Sequence, residues 1–168
     1  VKNGEIKIIP DFQEKIYFHW LENIRDWNIS RQIAWGIPIP AKICSNSTCD
    51  YGIVDLENKI TGKCPKCHEG ELISDPDTFD TWFSSGQWPF ATLGYPDNPD
   101  FKNFYPTDVM ETAADILFFW VARMIMLGMY RTGKIPFHTV YLHGMVRAGD
   151  KQKMSKSKGN VISPVDIG

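Results

Sequence analysis

What most constrains this chain is a pair of cysteine pairs, Cys44-x4-Cys49 and Cys64-x2-Cys67, separated by fourteen residues. Residues 41–72 hold all four cysteines, several glycines and few large apolar side chains. Such a segment buries too little surface to order itself by apolar packing and needs an internal staple. Four thiolates from two close pairs suit a tetrahedral Zn²⁺, and binding would supply the missing folding energy. Pro65 and Lys66 form the tight turn expected between the second pair of ligands. The predicted ligands are therefore Cys44, Cys49, Cys64 and Cys67 in a closed, structural site, with His68 as a lesser substitute for one sulfur. Two disulfides or free thiols are the competing arrangements, which a reducing, cytoplasmic setting disfavours.

The remainder is long enough for one apolar core in a chain of 168 residues. Apolar residues make up 43% and aromatics 13%, too rich for disorder. A formal charge of −2 excludes bulk attraction to polyanions. Charge is uneven, though: Arg147, Lys151, Lys153, Lys156 and Lys158 stand within twelve residues against the single acid Asp150. That pattern points to a specific anion site. Val1 to Pro10 lacks the apolar core of a signal peptide, and the apolar stretch Ile116 to Tyr130 is too short for a bilayer and carries Arg123. No membrane partner is expected.

Periodicity predicts a strand at Ile6, Ile8 and Ile9 and a helix from Phe12 to Asn28, with a breaker at Gly36-Ile37-Pro38-Ile39-Pro40. Asp80 to Trp88 reads as a short aromatic-rich helix or turn and Tyr95 to Asn103 as a loop. Asp108–Thr112 reads as a strand, Ala113 to Arg131 as one long helix ending at Gly133, and Phe137–Leu142 as the next strand. Strand, helix and strand at this spacing make a parallel βαβ unit of an α/β fold. Ligands of such sheets bind beyond the carboxyl ends of the strands, which puts Thr112–Asp115 and His143–Val146 on one rim. Ser163-Pro164-Val165-Asp166 announces a further helix just before the sequence stops, so the chain reads as a piece of a longer protein.

Past the last strand lies Lys153-Met154-Ser155-Lys156-Ser157-Lys158-Gly159-Asn160. Its ammonium groups can neutralise charge developing on a departing pyrophosphate, and a mobile loop can deliver them when substrate is present. By composition alone it is an ordinary solvated loop; the five-letter string Lys153–Ser157 sets it apart. That string resembles the KMSKS signature of class I aminoacyl-tRNA synthetases. Trp27-Asn28-Ile29-Ser30-Arg31-Gln32, with Trp35-Gly36 and Ile39-Pro40, resembles the segment after the editing domain in the valine, isoleucine and leucine group. Asp80-Thr81-Trp82-Phe83-Ser84-Ser85-Gly86, with Trp88-Pro89 and Thr92-Leu93-Gly94, is similar to the valine branch. Asp115 to Met124 and His143-Gly144-Met145-Val146 match the same family.

The resemblance implies the second half of a Rossmann-type parallel-sheet nucleotide-binding domain with a small zinc-ribbon insertion. Residues 1–40 would return the chain from the editing domain to the catalytic domain, 41–74 form the ribbon, and 75–168 complete the catalytic half. Lys153 and Lys156 would contact the triphosphate, with Lys156 assisting pyrophosphate departure; Ser155 and Ser157 belong to the same ATP-binding loop. His143, Gly144, Met145 and Val146 would lie against adenine and Asp115 at the ribose. Trp82 and Ile116 would line the amino-acid side-chain pocket. The implied substrates are L-valine, ATP with Mg²⁺ and tRNA(Val), and the implied partners are the remaining catalytic and editing domains of the same protein. Taken without the resemblance, Trp82 and Ile116 read as ordinary core residues.

Two departures qualify the match. Ala113 and Ala114 precede Asp115 where the family has a glycine, and a glycine permits close approach to a ligand. The family's His-x-Gly-His motif is absent from these residues, so the segment alone is expected to be inactive. Alternative readings are a zinc-stabilised tRNA- or protein-binding module without chemistry, and an isoleucine-specific synthetase. Asp75, Asp77 and Asp80 lack the glycine and terminal Glu of a calcium loop and read as turn or helix-cap acids. His19 and His138 read as packing or surface residues.

Overall fold

The computed structural model describes residues 1–149, 151–163 and 165. In chain order it contains β1 (Lys7–Ile9), α1 (Phe12–Glu22), β2 (Ser30–Arg31), β3 (Ala41–Cys44), β4 (Gly52–Val54), β5 (Leu72–Ser74) and β6 (Thr78–Phe79). Then come α2 (Thr81–Ser85), α3 (Trp88–Ala91), α4 (Pro99–Phe104), β7 (Thr107–Ala113), α5 (Arg123–Thr132) and β8 (Phe137–His143). The chain divides into two compact units, one of Val1–Arg25 with Ser85–Gly168, the other Asp26–Ser84.

The first unit is built on a parallel sheet in the order β1-β8-β7. Its strands alternate, and one face carries Ile8, Met110, Val140 and Leu142 into the core. Against that face pack Tyr17 of α1, Leu117, Val121 and Ala122 of the crossover, and Met124 and Ile125 of α5. Ile8, Val121, Met124 and Val140 are wholly sealed; each such side chain contributes about 1.5–3 kcal/mol on burial. The other face leaves Val109 and Tyr141 about half exposed, at 58% and 49%.

The predicted strands at both ends of the crossover are present, but the predicted single helix is not. It is a 3-10 turn (Ala114–Ile116), a π-helical stretch (Leu117–Ala122) and only then α5, which ends on Gly133 in the left-handed conformation. The wide turn lets consecutive bulky side chains reach different partners. Leu117 enters the core, Phe118 stacks on Trp20 at 4.8 Å, and the Trp120 indole N–H donates to the Ser85 carbonyl at 3.1 Å. π-helical turns of this kind are rare and costly unless such contacts repay them.

Two other expectations need correction. The first helix stops at Glu22, where Asn23 Nδ2 donates to the His19 carbonyl at 2.8 Å and closes the last turn. The stretch read as a loop from Tyr95 to Asn103 contains α4: the Asn98 side chain accepts the Asp100 N–H at 2.9 Å, and Pro99 occupies the first turn. That cap was legible, and α4 follows from it. The helix predicted from Ser163-Pro164-Val165-Asp166 lies outside the described residues.

The second unit contains two small antiparallel sheets, β2-β6 and β4-β3-β5. Its buried residues are Lys42, Cys44, Asp55, Cys64, Gly70, Thr78 and Asp80. Among the described residues of this unit, no aliphatic or aromatic side chain is buried. Lys42 Nζ is satisfied by Asn58 Oδ1 at 2.5 Å and Ser74 Oγ at 2.9 Å. Among the described residues no helix is long and apolar enough to cross a membrane.

Candidate functional site

Three clusters carry chemistry. The first is the carboxyl rim of the parallel sheet, where the register sets Ala113 beside His143. Asp115 follows in the 3-10 turn, and Lys153 Nζ donates to its Oδ2 at 3.2 Å. His143 Nε2 lies 3.2 Å from Glu111 Oε1, and its Nδ1 lies 2.8 Å from the Gly144 carbonyl. The Lys153–Asp115 ion pair is solvent-exposed and so worth at most about 1 kcal/mol; its value is in drawing the loop ammonium to the rim. Val146 is exposed, and nothing crowds the position a Cβ would take at Gly144.

The loop that brings Lys153 there has its own internal structure. The segment turns through a bridge between Arg147 and Lys153, with Arg147 Nη1 donating to the Lys151 carbonyl at 3.0 Å. Beyond it, Lys156–Lys158 form a 3-10 turn that ends on Gly159 at φ 66°, a left-handed conformation glycine adopts without strain. The Asn160 side chain closes the loop: its Oδ1 accepts the Ser155 N–H at 2.8 Å and its Nδ2 donates to the Lys153 carbonyl at 3.3 Å. The Ser155 and Ser157 hydroxyls lie 2.7 Å apart, and Lys156 projects from the turn exposed. The clasp role of Asn160 was missed in the sequence, where the residue read only as part of the loop.

The second cluster is the cysteine site. The sulfurs of Cys44, Cys49, Cys64 and Cys67 all lie within 4.8 Å of one another. Cys44 Sγ is 3.6 Å from Cys67 Sγ, and Cys49 Sγ is 3.8 Å from Cys64 Sγ. A tetrahedron with metal–sulfur bonds of about 2.3 Å has sulfur–sulfur edges of about 3.8 Å. These separations fit that figure and are far too long for disulfides; all four cysteines are free. Backbone N–H groups of Asn46, Lys66 and Gly70 donate to the sulfurs of Cys44, Cys64 and Cys67. A Cβ at Gly70 would sit 2.6 Å from Cys44 Sγ, so the turn needs glycine. The thiols are not equivalent. The Gly70 and Glu69 N–H groups lower Cys67 to about 6, while burial pushes Cys44 up to about 12. His68 occupies the intervening turn at φ 61°, and the grouped donor atoms are the four sulfurs without it.

The third cluster surrounds Trp82. The Asp80 side chain accepts from the Trp27 indole at 2.9 Å, from Arg31 Nη2 at 2.6 Å and from the Trp82 backbone N–H at 3.1 Å. Two of the sequence blocks that carried the family resemblance are thus joined through one carboxylate. Asp80 was read as a helix-cap acid and is one; Asp75 likewise accepts the Asp77 N–H at 2.9 Å, as a turn acid does. The tie to Trp27 and Arg31 spans 53 and 49 residues and left no local signal. Ile116 belongs to the other unit, in the 3-10 turn beside Asp115.

With this geometry in place, the sequence matches, over residues 1–168, the family described as tRNA synthetases class I (I, L, M and V). The chain belongs to that family. Among its relatives are proteins named valine–tRNA ligase from Symbiobacterium thermophilum and Clostridium tetani, each 52% identical, and from Dehalococcoides mccartyi, 54% identical. Each alignment covers 99% of this chain but only 18–19% of the relative. The chain therefore spans less than a fifth of the length of these synthetases. Its fold resembles the Agrobacterium radiobacter LeuRS in a ternary complex with tRNA and LeuAMS, with TM-score 0.60 and 24% identity over 92% of this chain and 25% of that one. It also resembles Mycobacterium tuberculosis methionyl-tRNA synthetase bound by methionyl-adenylate, with TM-score 0.59 and 19% identity over 99% of this chain and 26% of that one. The parallel sheet accordingly has the Rossmann-type fold of the class I synthetases, and the four clustered cysteines fit a zinc-ribbon insertion.

Proposed function

We propose that these residues are the second half of the Rossmann-type catalytic domain of a valine–tRNA ligase, which forms the adenylate only together with the rest of that protein. The observation that carries this reading is the 52–54% identity along 99% of the chain to relatives bearing that name. The valine carboxylate attacks the α-phosphate of ATP, an oxygen–phosphorus bond forms, and the bond to pyrophosphate breaks. A hydroxyl of tRNA(Val) then attacks the adenylate's carbonyl carbon, an ester bond forms, and AMP leaves as the mixed-anhydride bond breaks. Neither step needs a side-chain nucleophile; the protein positions reactants and stabilises charge.

In this reading Lys153 and Lys156 hold the triphosphate and oppose the charge that grows on pyrophosphate, with Ser155 and Ser157 donating to phosphate oxygens. Asp115 binds the ribose and His143, Gly144, Met145 and Val146 face adenine. The 3.2 Å contact between Lys153 and Asp115 supports this, because loop ammonium and ribose carboxylate then share one rim. Trp82 and Ile116 face the aliphatic side chain, where apolar walls exclude larger amino acids. Such walls reject isosteric threonine by only about 10²-fold, so the intact enzyme is expected to edit.

Residues 41–74 are the metal ribbon, 1–40 the return from the editing domain, and 75–168 the catalytic half. The remaining catalytic and editing domains of the same protein are its partners, and the half-exposed face of the parallel sheet supports this, since such sheets are ordinarily covered on both sides. Zn²⁺ held by Cys44, Cys49, Cys64 and Cys67 supplies folding energy, with no coordination position left open. Mg²⁺ accompanies ATP, and the setting is the cytoplasm.

Valine-dependent ATP–pyrophosphate exchange by the whole synthetase tests the reading. Lys153→Ala is expected to lower kcat by about 10²-fold or more. Exchange supported by isoleucine and not valine overturns the specificity.

A further inference from the structure

Asp80 is 4% exposed, and its carboxylate is engaged from three directions. One oxygen takes the Trp27 indole and the Arg31 guanidinium, the other the Trp82 N–H. Its backbone N–H donates to the Ile29 carbonyl at 2.7 Å, and its carbonyl accepts the Phe83 N–H at 2.8 Å. That is more than a helix of five residues needs from its cap. A helix so short does not hold itself, and none of its side chains is buried.

From this we infer that Asp80 is the positioning residue that sets Trp82, and through it the fit of the amino-acid side chain. The inference rests on the reading of Trp82 given above. What fixes the Trp82 backbone is the bond from its own N–H to Asp80 Oδ1 together with the two partners that anchor Asp80 Oδ2. Phe83, the next residue, packs on Phe79 with ring centres 4.9 Å apart and on Trp27 at 6.1 Å, which restrains the same turn. Neutralising Asp80 loosens Arg31 and lets the turn shift while leaving an acceptor at the cap. A shift of Trp82 equivalent to one methylene of pocket space changes discrimination by about 10–200-fold.

The experiment uses the whole synthetase and its Asp80→Asn and Trp27→Phe variants. The readouts are KM and kcat for valine, KM for ATP, and the ratio of kcat/KM for valine to that for isoleucine, all by pyrophosphate exchange. Asp80→Asn is expected to raise KM for valine by about tenfold and narrow the valine–isoleucine ratio, with KM for ATP unchanged. Trp27→Phe, which removes one donor and keeps an aromatic ring at that position, is expected to move the same quantities in the same direction by less. An Asp80→Asn enzyme with unaltered valine KM and ratio overturns the inference. So does a parallel rise in both KM values, the mark of a merely structural acid. Failure of the unmodified enzyme to exchange with valine overturns the underlying reading instead, and shows before any variant is compared.

Discussion

The two units solve the problem of staying folded in opposite ways. The parallel-sheet unit seals Ile6, Ile8, Val121, Met124, Phe137 and Val140 almost completely. The Asp26–Ser84 unit buries a lysine, two aspartates, a threonine, two cysteines and a glycine. Apolar burial is non-directional and tolerates substitution of similar volume. A buried set of charges and thiols depends on every partner, because a lone polar group left inside costs its full desolvation. The lesson is that the same chain should be forgiving in one unit and brittle in the other.

The sharpest break of that comparison is removal of the metal site. Cys64→Ser, or strong chelation, is expected to unfold residues 41–74 while the parallel sheet keeps its protection from hydrogen exchange, since structural Zn²⁺ provides about 10–16 kcal/mol in small ribbons. Equal loss of protection in both units would erase the distinction. Next in size is Phe137→Ala, 1% exposed in the core, expected to cost about 3–5 kcal/mol in denaturant unfolding of the sheet unit. Phe137→Leu, which keeps more of the volume, should cost clearly less.

A subtler test sets a single methyl group against the sulfurs. Gly70→Ala places its Cβ 2.6 Å from Cys44 Sγ and 2.9 Å from the Asn46 nitrogen. It is expected to cost about 1–3 kcal/mol and to weaken metal binding in a competition titration. Unchanged affinity would mean the turn can move freely.

The smallest effect is one of pH. Burial works to raise the Asp55 carboxyl, but the Ile60 and Lys59 N–H groups and the Lys42 ammonium outweigh it and hold it below its ordinary value. With its folded pKa depressed, Asp55 adds stability that is present above about pH 4, the unfolded value, and is lost as the pH falls through the folded one. Asp55→Asn should therefore flatten the acid limb of the stability profile, read as melting temperature below pH 4. An unchanged limb would remove Asp55 from the set of buried charges that hold this unit.

The sequence by itself determined whatever is local. The spacing of Cys44, Cys49, Cys64 and Cys67 marked a four-sulfur site because ligands close in sequence need only a turn to meet. Asp108–Thr112 and Phe137–Leu142, the latter with β-branched Thr139 and Val140, read as strands, and the length of the crossover between them marked the pair as parallel and brought the Asp115 and His143 segments to one rim. The Asn98-Pro99 cap of α4 is equally local, yet the stretch reads as a loop because prolines and a glycine surround it. Tertiary structure decided the rest. The crossover became π-helical because Phe118 and Trp120 found partners in Trp20 and Ser85 that no window of sequence contains. The clasp of Asn160 needed the loop to close first. The joining of Trp27, Arg31 and Trp82 through Asp80 needed the chain to return after some fifty residues. Periodicity and motif spacing record what a residue's neighbours in the chain require, whereas a buried carboxylate's partners are fixed only when the fold has excluded water from around it.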